Sequence, residues 1–81
     1  MLEENVLFID AKGLKCPMPV IKLQQAVRKA QAGAQIQIAC TDKGAENDIG
    51  SWARVNKHSI TEIHPTDYGL LITLRIKETA A

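Results

Sequence analysis

Aromatic residues are scarce in this 81-residue chain, which has one Phe, one Tyr and one Trp. Proteins that stack nucleic-acid bases need a platform of aromatic side chains, and three scattered rings do not supply one. A dominant charge is also missing. The formal net charge is +1, too small for the basic footprint of a dedicated nucleic-acid module, so no direct nucleic-acid contact is expected. No apolar run approaches the ~18 residues of a membrane span, so no membrane role is expected either. The opening Met-Leu-Glu-Glu-Asn is acidic and lacks the basic start and apolar stretch of a secretion signal. A cytoplasmic location is therefore expected. The two cysteines are too few for a disulfide framework and would stay as thiols in a reducing compartment.

The patterning that is present reads as alternating strands and helices. A chain this short is expected to form one domain over residues 1–81, with a thin core and a disordered tail at about 78–81. Val6 to Asp10 is a short apolar run and a first strand. Ala11 to Lys15 is a loop in which Gly13 gives freedom for a tight turn. Val20, Leu23, Val27 and Ala30 follow at helical spacing, and Gly33 marks the stop. Ala34 to Cys40 alternates, with Ile36, Ile38 and Cys40 on one face and Gln35, Gln37 and Ala39 on the other. Thr41 to Gly44 is a turn. Ala45 to about Asn56 is a second helix with Ala45, Ile49, Trp52 and Val55 on its inner face. Ser59 to His64 is a third strand closed by Pro65, and Thr66 to Gly69 is a hairpin turn. Leu70 to Lys77 alternates most clearly, with Leu70, Ile72, Leu74 and Ile76 inward and Leu71, Thr73, Arg75 and Lys77 outward.

The order βαβαββ predicts an α/β two-layer sandwich, a four-stranded mixed sheet with two helices packed on one face. In such sheets, sites gather at the carboxyl ends of the strands. Cys16 falls there, between the first strand and the first helix.

Cys16-Pro17-Met18-Pro19 is the most informative segment. Pro17 suits the first helical position, where its missing N–H has no intrahelical partner. Pro19 also lies within the first turn and breaks no ladder bond. Cys16 is then expected as the cap, with its sulfur near the Met18 N–H. A helix N-terminus favours an anion by about 0.3–1 kcal/mol, so it lowers a thiol pKa by less than about one unit. Such a thiol has an appreciable thiolate fraction without becoming a poor nucleophile. Simple packing is the competing role for a cysteine here. Lys15 before it and the proline-rich turn after it favour an exposed corner.

The run Ile9-Asp10-Ala11-Lys12-Gly13-Leu14-Lys15-Cys16-Pro17-Met18-Pro19 resembles the signature of the TusA/SirA-like sulfur-carrier family, whose hallmark is CPxP preceded by Gly-Leu. Thr41-Asp42, Asp48-Ile49 and Trp52 resemble its second motif. The resemblance spans nearly the whole chain. It implies a sulfur carrier that accepts sulfane sulfur as a persulfide on Cys16 and relays it onward without a metal or organic cofactor. It also implies partners: a cysteine desulfurase or other persulfide donor, and a downstream acceptor protein. Members serve tRNA thiolation, molybdenum cofactor assembly and sulfur oxidation. Lys43 and Gly50 stand where the family often has proline, which bears on subfamily and partner rather than on Cys16.

Around Cys16, Gly13, Leu14, Pro17, Met18 and Pro19 are expected to shape the site. Met18 is either an adaptable docking contact or a first-turn packing residue. Lys12, Lys15 and Lys22 either steer acidic partners or form an ordinary solvated face. Cys40 is a possible second thiol, although its alternation with Ile36 and Ile38 points it into the core. His58 and His64 have no close companion ligands, so no metal site is expected. Asp10 and Asp42 suit turn or cap hydrogen bonding. Two other classes compete with the carrier: a thiol–disulfide redox protein using Cys16 and Cys40, and a non-catalytic interaction or regulatory module.

Overall fold

The computed structural model describes residues 6–15, 18–31 and 33–77. Cys16, Pro17 and the tail at 78–81 lie outside the described residues. The elements are β1 (Val6–Ala11), α1 (Met18–Lys29), β2 (Gln35–Cys40), α2 (Ala45–Val55), β3 (Ser59–Pro65) and β4 (Leu70–Arg75). This is the βαβαββ order read from the sequence. The four strands form one mixed sheet in the order β1-β2-β4-β3.

β1 and β2 are parallel, with Leu7, Ile9 and Ala11 beside Ile36, Ile38 and Cys40. A parallel pair needs a crossover connection, and α1 supplies it. β4 pairs antiparallel with β2 on one side and with β3 on the other. It lies inside the sheet because it can be buried: Ile72, Thr73 and Leu74 are nearly inaccessible. β3 takes the edge, where its charged and proline residues tolerate water.

Both helices cover one face. Leu23 of α1 and Ala45 and Ile49 of α2 join Ile36, Ile38, Cys40, Ile72, Leu74 and Ile76 in one core. Leu23 and the four β-sheet residues Ile36, Ile38, Ile72 and Leu74 are fully buried. Truncating one such side chain to alanine costs about 2–5 kcal/mol, a large fraction of a small domain's stability. No helix among the described residues is long and apolar enough to cross a membrane.

Two details differ from the sequence reading. α2 buries Ala45, Ile49 and Ala53 and packs the half-buried Trp52 against the core, while Val55 is 77% exposed. Val55 lies six residues beyond Ile49, about one and two-thirds turns, which rotates it off the inner face. Ala39 and Thr73 sit on the uncovered face yet are buried. Their strands are central, so larger neighbours close over them: Asp10 and Leu71 flank Ala39, and Gln37 and Glu62 flank Thr73.

Candidate functional site

The parallel register sets Ala11 and Cys40 side by side, so the β1–α1 and β2–α2 loops leave the sheet from the same edge. Two contacts organise the first loop locally. The Lys12 N–H donates to the Asp10 carboxylate at 3.1 Å, the turn role expected of Asp10. The Leu14 N–H donates to the Ala11 carbonyl at 3.2 Å. Gly13 turns the chain at φ +83°. Its N–H donates to the Thr41 hydroxyl oxygen at 2.9 Å, joining the two loops.

The β3–β4 turn closes the same edge. Gly69 packs against the backbone of Cys40 and Thr41 so closely that a Cβ would collide with the Cys40 carbonyl oxygen. Tyr68 in that turn lies under Lys12, whose Nζ is 4.9 Å from the ring centroid. This cation–π contact ties Lys12 to the hairpin tip.

Between the two loops lies an open crevice of about 400 Å³, lined by Gly13, Leu14, Lys15, Thr41, Asp42 and Lys43. Lys15 and Lys43 make two cations against the one carboxylate of Asp42, and both helices start from these loops with their positive ends. The crevice therefore suits an anionic or acidic contact more than a basic one.

The chain enters and leaves the Cys16-Pro17 pair through anchored residues. Leu14 packs against the core before it, and Pro19 is fully buried after it. Between these anchors Lys15 is exposed and Met18 is 41% exposed. The Met18 N–H donates to the Lys15 carbonyl at 2.8 Å, because a main-chain oxygen three residues back reaches the donor in a tight first turn.

The remaining residues separate. Lys22 is exposed and lies in a different groove, with Leu7 to Asp10 of β1 and Gln25, Ala26 and Lys29 of α1. Cys40 is 1% exposed. Burial, with a smaller contribution from the Asp42 charge, pushes its thiol up from 9.0 to about 11. Thr41 and Lys43 were not singled out as site residues from the sequence. Thr41 does stand in the second quoted motif, but its role depends on a partner 28 positions away. Among the described residues, no cluster of three or more His, Cys, Asp or Glu could hold a metal ion.

This arrangement can be compared with known proteins. A family model described as Sulfurtransferase TusA matches residues 7–77. The chain belongs to the TusA family. Similar relatives include the Bacillus subtilis (strain 168) protein YrkI, 36% identical over 70 residues and covering 86% of this chain and 91% of YrkI. The sulfur carrier protein TusA of Pseudomonas putida (strain F1) is 35% identical over 54 residues, covering 67% of this chain and 68% of its own length. The crystal structure of a SirA-like protein from Desulfitobacterium hafniense has the same fold. Its TM-score is 0.76 at 24% identity, over 89% of this chain and 99% of that one. Membership in the TusA family supports a sulfur-carrier role.

Proposed function

We propose that this protein carries sulfane sulfur as a persulfide on Cys16, taking it from a donor protein and giving it to an acceptor protein. The observation that carries this reading is the CPxP cysteine in the stretch of chain between β1 and α1 of a TusA-family protein. Lys15 and Met18 on either side of the Cys16-Pro17 pair are exposed, while Leu14 and Pro19 are anchored. Such a segment can enter another protein's active site without disturbing the core.

The transfer is an exchange at sulfur. The Cys16 thiolate attacks the terminal sulfur of a donor persulfide, such as that of a cysteine desulfurase. A bond forms between Cys16 Sγ and the terminal sulfur. The donor's own sulfur–sulfur bond breaks, its electron pair stays on the donor cysteine sulfur, and that thiolate takes a proton. The second transfer repeats these steps, with an acceptor cysteine as nucleophile and Cys16 as leaving group. No net oxidation occurs, so no redox cofactor enters the balance. Lys15 and Lys43 favour the persulfide anion and an acidic partner surface. The acceptor belongs to a sulfur-using pathway such as tRNA thiolation, molybdenum cofactor assembly or sulfur oxidation.

A redox pair of Cys16 and Cys40 is the less favoured reading. The Cys40 thiol is buried and hard to ionise, which makes it a poor exchange partner.

Intact-mass measurement after incubation with a cysteine desulfurase and cysteine tests the carrier reading. The expected gain is one sulfur atom, removable by a reducing agent and absent in Cys16→Ser. Loading that persists in a folded Cys16→Ser protein would falsify the assignment.

A further inference from the structure

The two edges of the sheet are built differently. β3 has a register shift between Ile60 and Glu62, ends in Pro65, and presents Glu62 and His64. Bulges, prolines and charges are the features that keep an edge strand from pairing with another chain. β1 has none of them over its first four residues, Val-Leu-Phe-Ile. It pairs with β2 without a shift across all six of its residues, and Val6, Leu7 and Phe8 remain 44%, 38% and 60% exposed. Among the described residues no strand lies beyond it.

A groove of about 510 Å³ runs beside this edge. One side is Leu7 to Asp10 of β1. The other is the α1 face formed by Lys22, Gln25, Ala26 and Lys29. An outermost strand turns alternate N–H and C=O groups away from its one neighbour. Main-chain donors and acceptors, apolar side chains and two exposed lysines therefore meet in one place. Strand addition at such an edge takes its affinity from the main chain and its selectivity from alternate side chains.

We propose that the free edge of β1 is a docking site for an extended, acidic segment of a partner protein, which adds as a fifth strand and sets carboxylates against Lys22 and Lys29. The spacing permits it. Lys22 and Lys29 are seven residues apart, about 10.5 Å along the helix. Two same-face residues on a strand lie about 6.7 Å apart, a difference that two flexible lysine stems can bridge. A second copy of this chain is a poorer occupant. Pairing β1 with itself would bring two lysine walls together across the seam, with only Asp10 from each strand to offset them. This proposal concerns docking alone and stands whether or not Cys16 carries sulfur.

The probe is a ten-residue peptide of alternating Val and Glu, titrated into the full chain and followed by amide NMR and hydrogen exchange at low ionic strength. The expected result is saturable binding, with exchange slowed at alternate residues of Val6–Ala11 and shifts at Lys22 and Lys29. Added salt should weaken it. The doubly substituted protein Lys22→Glu, Lys29→Glu should bind this peptide at least about tenfold more weakly and should prefer the matching Val-Lys peptide. Both substitutions are on exposed positions, and circular dichroism checks the fold. The proposal is overturned by no saturable binding, by binding that maps to β3 or to the crevice, by protection without peptide of the β1 amides that turn away from β2, or by dimers formed through β1. Unchanged affinity in the charge-reversed protein would overturn it too.

Discussion

The Thr41 hydroxyl oxygen accepts the Gly13 N–H at 2.9 Å, joining residues 28 positions apart. This one bond links the loop that precedes Cys16 to the loop that opens α2. Removing the acceptor in Thr41→Val leaves the Gly13 N–H to water. The bond is exposed, so the expected stability loss is small, about 0.5–1 kcal/mol. Amide exchange over residues 12–15 should quicken, and sulfur loading at Cys16 should slow. Thr41→Ser should restore both readouts. If Thr41→Val leaves exchange and loading unchanged, the link between the loops has no positioning role.

Gly69 makes a harder demand. A methyl group there meets the Cys40 carbonyl oxygen and the Thr41 Cα, both main-chain atoms, and these cannot rotate away. The backbone also sits at φ +149°, a region that disfavours side chains. Gly69→Ala is expected to cost about 1–3 kcal/mol, read as a lower urea midpoint with an unchanged slope. At Gly13 a methyl group meets nothing within 4 Å. Gly13→Ala should carry only the backbone cost of φ +83°, about 1–2 kcal/mol.

Cys40 should behave as a core residue. Its thiol is buried and pushed up to about 11, so alkylation in the native state should be slow and become fast on unfolding. The folded value lies above the unfolded one. The resulting stability is therefore fully present below about pH 9 and is lost as pH rises towards 11, by an amount on the order of 2 kcal/mol. Comparing urea midpoints of the native protein and Cys40→Ala at pH 8 and above checks this. Sulfur loading of Cys16 should survive in Cys40→Ala. Loss of loading in a folded Cys40→Ala protein would instead point to a relay between the two thiols.

His58 predicts the acid side of the profile. Its Nδ1 accepts the Lys77 N–H at 3.0 Å, and its ring lies 4.9 Å from that of Trp52. Burial, and then the Lys77 charge, hold its pKa below 6.5. The unfolded chain therefore binds the proton first. The stability from neutral His58 is complete above about pH 6.5 and is lost as pH falls below it. An imidazolium cannot accept the Lys77 N–H, which gives the same direction. His58→Gln should flatten the dependence of stability on pH between 7 and 5, with Trp52 fluorescence as the readout of unfolding.

The particular residues show which features the sequence carried. Ile36, Ile38 and Cys40 alternate, as do Ile72, Leu74 and Ile76, and all six are in the core. Period-two burial depends only on local geometry, so it can be read from a single strand. Val55 reads as an inward residue but is exposed, because the inner face of a short helix is set by what it packs against. Thr73 and Ala39 read as outward residues and do face the uncovered side. Their burial comes from Gln37, Glu62, Asp10 and Leu71 on neighbouring strands. At the site, Gly13, Leu14 and Lys15 were visible as neighbours of Cys16. Thr41 and Lys43 join them only through the β1–β2 register. Lys22, near Cys16 in sequence, lies along the β1 groove instead.

Local chemistry, written in the order of the residues, determined the elements, the inward faces of the strands and the cysteine between β1 and α1. Hydrophobic periodicity and the fixed geometry of proline and glycine act over a few positions, so no tertiary information was needed. Only the tertiary structure decided that β4 lies inside β3, that Lys43 lines the crevice, and that among the described residues one sheet edge is left unprotected. Each of these depends on which distant segments exclude water from one another, and packing in three dimensions settles that.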